Sequence, residues 1–259
     1  MKKWVRILMT ALTVALAAAV TVLVTGSAER QRHETTCTDL EIRLQEEPSF
    51  VSEQDVKDYL RDFYGPCKGV RIDSLDLCRM ESVLEGRSAV RSCQAWTTRD
   101  GILHISITQR DPVVRFQTGS FGYYADDRGF IFPLQKNWTP LVPVIDGSIP
   151  LTVREGYKGE LISEKEKAWM AGILELVAFI SRSRTWSENI AQISVLSENE
   201  LVLIPREGRE RFIFGDSGRA KEKFALIEKY YKYIQPAKEQ GWYRSVNVKY
   251  PGQIICRKK

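Results

Sequence analysis

Val90-Arg91-Ser92-Cys93-Gln94-Ala95-Trp96-Thr97-Thr98-Arg99-Asp100-Gly101-Ile102-Leu103-His104-Ile105-Ser106-Ile107-Thr108-Gln109 reads as two strands joined by a tight turn. In its second half Leu103, Ile105 and Ile107 alternate with polar neighbours, the period of a half-buried strand. The first half alternates in part, and Arg99-Asp100-Gly101 supplies the turn chemistry between them. Upstream, Leu40, Ile42 and Leu44 alternate against charged residues over 38–47, a third strand that Pro48 ends. Between these strands Ser52 is placed as an N-cap, with Asp55 three residues on and Val51 and Val56 set for a hydrophobic staple. Val56, Tyr59, Leu60 and Phe63 then recur at helical spacing until Gly65-Pro66. A second helix fits residues 74–84, with Leu75, Cys78 and Val83 inward and Gly86 at its end. A three-stranded sheet needs a cover on one face, and two helices supply it. The order strand, helix, helix, strand, strand is therefore a compact α+β module.

Beyond Asp111-Pro112 the texture changes to short strands with turn signals. Residues 113–117 lead to Tyr123-Tyr124-Ala125, then to Asp126-Asp127-Arg128-Gly129 and Phe130-Ile131-Phe132. The two aspartates suit a turn between aromatic strands better than a catalytic carboxylate pair. Pro140, Pro143 and Pro150 punctuate the next stretch. A long helix is expected from Ser163, with Glu166 completing a capping box and Trp169, Ile173, Leu176, Val177 and Ile180 on one face. Residues 190–196, 200–205 and 211–214 read as strands, residues 221–234 as a helix, and 245–250 and 253–256 as two closing strands around Pro251-Gly252. The second domain is thus expected to be β-rich with two helices.

At the other end, Met1-Lys2-Lys3-Trp4-Val5-Arg6 precedes an uncharged stretch over residues 7–28. Its apolar core, residues 7–24, rises about 27 Å as a helix, close to the hydrocarbon thickness of a bilayer. Three cations before it and a mixed-charge segment after it predict a cytoplasmic tail over 1–6, a transmembrane helix over 7–28 and export of the rest. Gly26-Ser27-Ala28 also suits signal-peptide cleavage, although secretory apolar regions are shorter. Residues 29–37 then form a juxtamembrane linker, 38–112 the α+β module and 113–259 the β-rich domain.

With 43% hydrophobic and 27% charged residues the exported part has the composition of folded domains rather than of a disordered chain. The formal charge of +5 draws on Lys2, Lys3, Arg6, Arg257, Lys258 and Lys259, basic ends that give no reason to invoke nucleic acid. Cys37, Cys67, Cys78, Cys93 and Cys256 fit no metal spacing. Four lie between 37 and 93, which suits either one or two disulfides in an exported domain or, for Cys78 and Cys93, burial as small apolar residues. Gly215-Asp216-Ser217-Gly218 looks like a serine-protease nucleophile, but only His33 and His104 exist, and neither has a protease-like context. The tetrapeptide reads instead as a strand-to-helix turn, with Asp216 or Ser217 capping the helix. No phosphate loop, cofactor motif or metal motif is present, so no enzyme is expected. The strand over 245–250 suits either a core position or a sheet edge, where free backbone groups accept a partner's strand.

Several landmarks resemble the FtsQ/DivIB family of bacterial cell-division proteins, in order along nearly the whole chain. They are Gln109-Arg110-Asp111-Pro112-Val113-Val114, the hairpin Tyr124 to Phe132, Pro143-Val144-Ile145-Asp146-Gly147, Phe214-Gly215 with the helix from Lys221 to Tyr231, and Val246-Asn247-Val248-Lys249-Tyr250. The resemblance implies a POTRA domain for the α+β module, a β domain after it, and a single-pass inner-membrane protein with periplasmic domains at the division septum. It implies a non-enzymatic scaffold linking early and late division proteins. Its terminal strands would bind FtsB/FtsL-like partners through Val248, Lys249 and Tyr250, with Lys221 a neighbour, and its POTRA domain would dock other divisome proteins. Asn247 and Lys249 stand where the family carries aspartate and arginine, and lysine lacks arginine's bidentate fork. The alternative is a POTRA-bearing component of an outer-membrane assembly or secretion system, which would require a transmembrane barrel for which the residues after 112 are too few.

Overall fold

The computed structural model describes residues 14, 16–21, 35–45, 49–135, 137–238 and 242–258. The expected cytoplasmic tail, most of the expected anchor and most of the linker lie outside the described residues, as do His33 and Pro48. Within the expected anchor, residues 14 and 16–21 are helical; among the described residues no helix is long and apolar enough to cross a membrane. The chain divides between Gln109 and Arg110 into two units.

The first unit is built from β1 (Asp39–Leu44), α1 (Glu53–Phe63), α2 (Leu77–Glu85), β2 (Val90–Thr97) and β3 (Ile102–Gln109). Its sheet has the order β1-β3-β2, with β1 parallel and β2 antiparallel to β3. The alternation read in β3 is the burial pattern found: Leu103, Ile105 and Ile107 are fully buried and their neighbours are not. The capping box of α1 is present, Ser52 Oγ accepting from Asp55 N while Asp55 Oδ2 accepts from Ser52 N. The second helix is a correction. It starts at Leu77, because Asp76 Oδ1 accepts from Arg79 N, and a separate 3-10 turn occupies Ile72–Ser74. Met80 and Leu84 are the buried residues of this helix, and Cys78 faces solvent.

The open edge of β2 is closed by side chains. Glu81 Oε1 accepts from Ala95 N at 2.7 Å and Glu85 Oε1 from Cys93 N at 3.0 Å, so one face of α2 occupies donors that would otherwise template another strand. Burial, then the carboxylates of Glu81 and Glu85, push the Cys93 thiol up to about 12, which leaves it unreactive. Glu81→Ala and Glu85→Ala are each expected to destabilise this unit by about 1–2 kcal/mol, measured by urea titration, because each strands a backbone donor.

The second unit begins with β4 (Pro112–Thr118), β5 (Phe121–Asp126), β6 (Ile131–Pro133) and β7 (Val144–Gly147). After α3 (Glu164–Arg182) and α4 (Arg184–Asn189) come β8 (Ile190–Ser197), β9 (Glu200–Pro205) and β10 (Arg211–Gly215). α5 (Ala220–Lys229), continued as a π-helical turn over Tyr230–Ile234, leads to β11 (Tyr243–Asn247) and β12 (Ile255–Lys258). The nine strands form one sheet in the order β12-β11-β10-β9-β8-β7-β4-β5-β6. Two of its parallel pairs, β7 with β8 and β10 with β11, are joined through helices, as parallel neighbours require. Those crossovers lay α3 and α5 into one apolar cluster with the sheet, centred on Phe224 against Phe179, Trp186 and Phe214.

Two expectations change here. The unit carries a further short helix, α4, because Ser183 breaks α3 with an extended backbone and then caps α4 by accepting from Trp186 N. The capping box expected at Ser163 does not form: Glu166 Oε1 instead accepts from Thr152 N at 2.8 Å. The Asp126-Asp127 turn behaves as read. Asp126 is buried, and its carboxylate accepts from Arg128 N, Phe130 N and Arg110 Nη1.

Candidate interaction site

The strand expected over 245–250 is interior rather than an edge. β11 ends at Asn247 and lies between β10 and β12, since the α5 crossover delivers it parallel to β10 and the chain then turns back along its other side. The edge is β12. Val248 N donates to Ile213 O, so even-numbered donors on this segment face β10 while Ser245 and Asn247 face β12. Ser245↔Arg257 and Asn247↔Ile255 are then the hydrogen-bonded pairs, and Cys256 turns its own N–H and C=O to the open side.

Where the chain turns from β11 into β12, residues 248–252 run alongside α5 and leave a groove of about 250 Å³. Ala225, Leu226, Val248 and Pro251 supply its apolar surface, and Arg219, Lys229 and Tyr250 stand at its rim. Tyr250 is 47% exposed, with Lys249 Nζ 5.3 Å from its ring centroid. Val248 is fully buried and forms part of the floor of the groove. Lys249 lies at the site, but its ammonium sits 3.3 Å from both carboxylate oxygens of Glu200, so its charge is already engaged. Lys221 is exposed on the first turn of α5 and does not line the groove, where Glu222 and Lys229 stand instead.

Arg219 is the residue that the sequence did not disclose. It is the only non-glycine among the described residues with positive φ, 54°, and its Nη2 donates to Lys249 O at 3.2 Å, tying the start of α5 to the turn. A left-handed arginine leaves no mark in composition or spacing, since Asn and Asp are the usual non-glycine occupants of that region. The preceding loop is held from inside. Lys223, 2% exposed, donates to Asp216 O at 2.7 Å and Asp216 Oδ1 at 2.8 Å and lies over the Phe214 ring. These bonds, led by the Lys223 hydrogen bond, hold the Asp216 carboxyl below its ordinary range. Asp216 and Ser217 therefore do not cap α5, which has no side-chain cap. Gly215 lets the Lys249 stem approach, for a Cβ there would lie 2.9 Å from Lys249 Cβ. Ser217 packs against Gly172 of α3. His104, in the first unit, is stacked on Trp96 with Nδ1 3.1 Å from Glu41.

At the far end of β12, Trp242 lies close to Lys238 and Lys258, whose ammonium groups are 5.8 and 5.3 Å from its ring centroid. The open edge thus has an aromatic residue near each end, Tyr250 and Trp242, and exposed Arg257 and Lys258 along it.

A family model described as FtsQ/DivIB, C-terminal related, matches residues 111–257, more than half of the chain. The chain belongs to the FtsQ/DivIB family. A POTRA-like domain model matches residues 35–108, which covers the three-stranded unit of this FtsQ/DivIB protein. No curated protein matches the chain. FtsQ/DivIB is a family of non-enzymatic cell-division scaffolds that act at the division site, and the two domains here are those of a divisome-type scaffold.

Proposed function

We propose that this FtsQ/DivIB protein is a single-pass scaffold of the inner membrane that captures an FtsB/FtsL-like partner by strand addition to β12. The observation that carries the reading is that, among the described residues, β12 is an edge strand of its sheet, with the Cys256 N–H and C=O turned to the open side and Tyr250 exposed over the groove at its start. Main-chain hydrogen bonds would supply much of the affinity, and the groove would take one apolar side chain of the added strand. Lys229, Arg257 and Lys258 favour an acidic partner segment, while Arg219 faces Glu222 at 4.0 Å. The same cations discourage pairing of β12 with a second copy of itself. The uncharged run over residues 7–28 and the cations before it support the anchor and, by the positive-inside rule, periplasmic domains. Lys221 lies outside the groove lining as a neighbour of the site, and docking of other divisome proteins is assigned to the POTRA-like domain.

Two substitutions on the whole chain test the site. Tyr250→Ala removes a rigid ring with a polar tip and is expected to weaken binding of FtsB/FtsL-like periplasmic segments about tenfold or more, about 1.4 kcal/mol. Cys256→Pro removes the outward donor while sparing the β11–β12 hydrogen bonds, so circular dichroism should stay native while binding falls at least as far. Undiminished binding by both variants, read by calorimetry or pull-down, would move the site away from this edge.

A further inference from the structure

Segment 35–37 lies antiparallel against residues 70–72, ahead of β1. Thr36 bridges Arg71, Ile72 N donates to Thr35 O at 3.1 Å, and Cys37 N donates to Val70 O at 2.7 Å. Gly69 N returns a bond to Cys37 O at 2.8 Å. The strip that Cys37 meets is a turn, closed by Val70 N donating to Cys67 O at 3.3 Å. One short ladder therefore brings Cys37 against the turn that opens with Cys67, although 30 positions separate them in the sequence. Both residues are buried, at 2% and 8% exposure, and both are free thiols. Neither thiol bonds a side chain: Cys37 Sγ donates to Asp39 O and Cys67 Sγ to Gly65 O.

We infer that Cys37 and Cys67 are a disulfide site, oxidised by thiol–disulfide exchange with a small or protein disulfide. In the first step one cysteine thiolate attacks a sulfur of that disulfide, forming a mixed disulfide and releasing one reduced thiol. The second cysteine thiolate then attacks the protein sulfur of the mixed disulfide, and the other reduced thiol leaves. The protein gives up two electrons and two protons, and the oxidant is reduced to two thiols. The remaining cysteines are not in this ladder: Cys78 is exposed on α2, Cys93 lies on β2 behind Glu81 and Glu85, and Cys256 belongs to the other unit.

Burial pushes both thiols up, and the charge of Cys37 raises Cys67 further. Thiols of high pKa favour the disulfide at equilibrium while slowing its formation in the folded state, the pattern of a structural bond rather than a shuttling one. The bond would pin the point where the chain enters β1, an edge strand held in its sheet by β3 alone, to the connection between α1 and α2. A bacterial periplasm supplies oxidants of this class.

The test uses the isolated whole chain, so its outcome is independent of the partner and of the membrane. The chain is incubated with oxidised glutathione, alkylated in denaturant without reductant, digested and weighed. The expected product is a peptide pair joined through Cys37 and Cys67, both protected from alkylation. The melting temperature of the first unit should rise by about 5–10 °C, and Cys37→Ser or Cys67→Ser should each abolish that rise. Alkylation or glutathione at both positions, or a bond from either to another cysteine, overturns the inference.

Discussion

Asp216→Ala is expected to destabilise the second unit by about 3 kcal/mol, and Lys223→Met by only about 1 kcal/mol, although the two residues form one ion pair. The asymmetry follows from where the two charges lie. The Lys223 side chain is 3% exposed and that of Asp216 is 58% exposed. Removing the aspartate leaves a buried ammonium with a single carbonyl and the face of Phe214 for company, which is the costly way to break such a pair. Removing the lysine with a side chain of similar volume leaves a carboxylate that water reaches. Chemical denaturation followed by tryptophan fluorescence should rank Asp216→Ala below Lys223→Met, and the double variant close to Lys223→Met. Equal losses in the two single variants would contradict the burial argument. The pH response has a fixed sign. Lys223 holds the Asp216 carboxyl below its ordinary value, so the wild-type pair contributes above the unfolded carboxyl pKa, and the contribution is lost as pH falls through the folded one. Asp216→Ala should therefore have a flatter acid limb than the wild type.

The elements whose signals are local were legible in the sequence. Ser52 and Asp55 meet within one helical turn, and the alternation of β3 needs only the rule that one face of a sheet is buried. Failures occurred where a distant group competed for a local one. Glu166 could have closed a capping box with Ser163, yet the backbone of Thr152 claims its carboxylate. Leu75 suggested a helix face, but it lies in the connection before Asp76, so it does not predict that Cys78 points inward. The candidate site was legible only in outline. Tyr250, which the resemblance assigns to a partner surface, stands exposed at the groove, an exposure its sequence neighbours do not announce. Val248 carries the same apolar signature whether it is floor or contact, and only the sheet order makes it floor. The groove joins Arg219 to Lys249 across 30 positions through the α5 crossover, and no window along the sequence spans that distance.

Gly147→Ala is expected to cost the second unit at least about 4 kcal/mol, enough to leave much of the protein unfolded. Gly147 ends β7 at φ 91°, a backbone conformation that costs an alanine about 1–2 kcal/mol by itself. The larger part is steric. A Cβ at Gly147 would collide with the carbonyl oxygen of Val195, its direct partner in β8. That oxygen is not a flexible side-chain end, since it accepts from Ser148 N at 2.7 Å within the sheet. Relief must come from separating β7 from β8, and β7 is the strand through which the group β4, β5 and β6 joins the rest of the sheet. Gly156→Ala is the matched control. Its φ is 76°, but a Cβ there meets nothing within 4 Å, so it should show the conformational cost alone, about 1–2 kcal/mol. Urea midpoints for the two variants separate the terms: a wide gap assigns the difference to the β7–β8 junction, and equal midpoints would mean that the junction yields without loss.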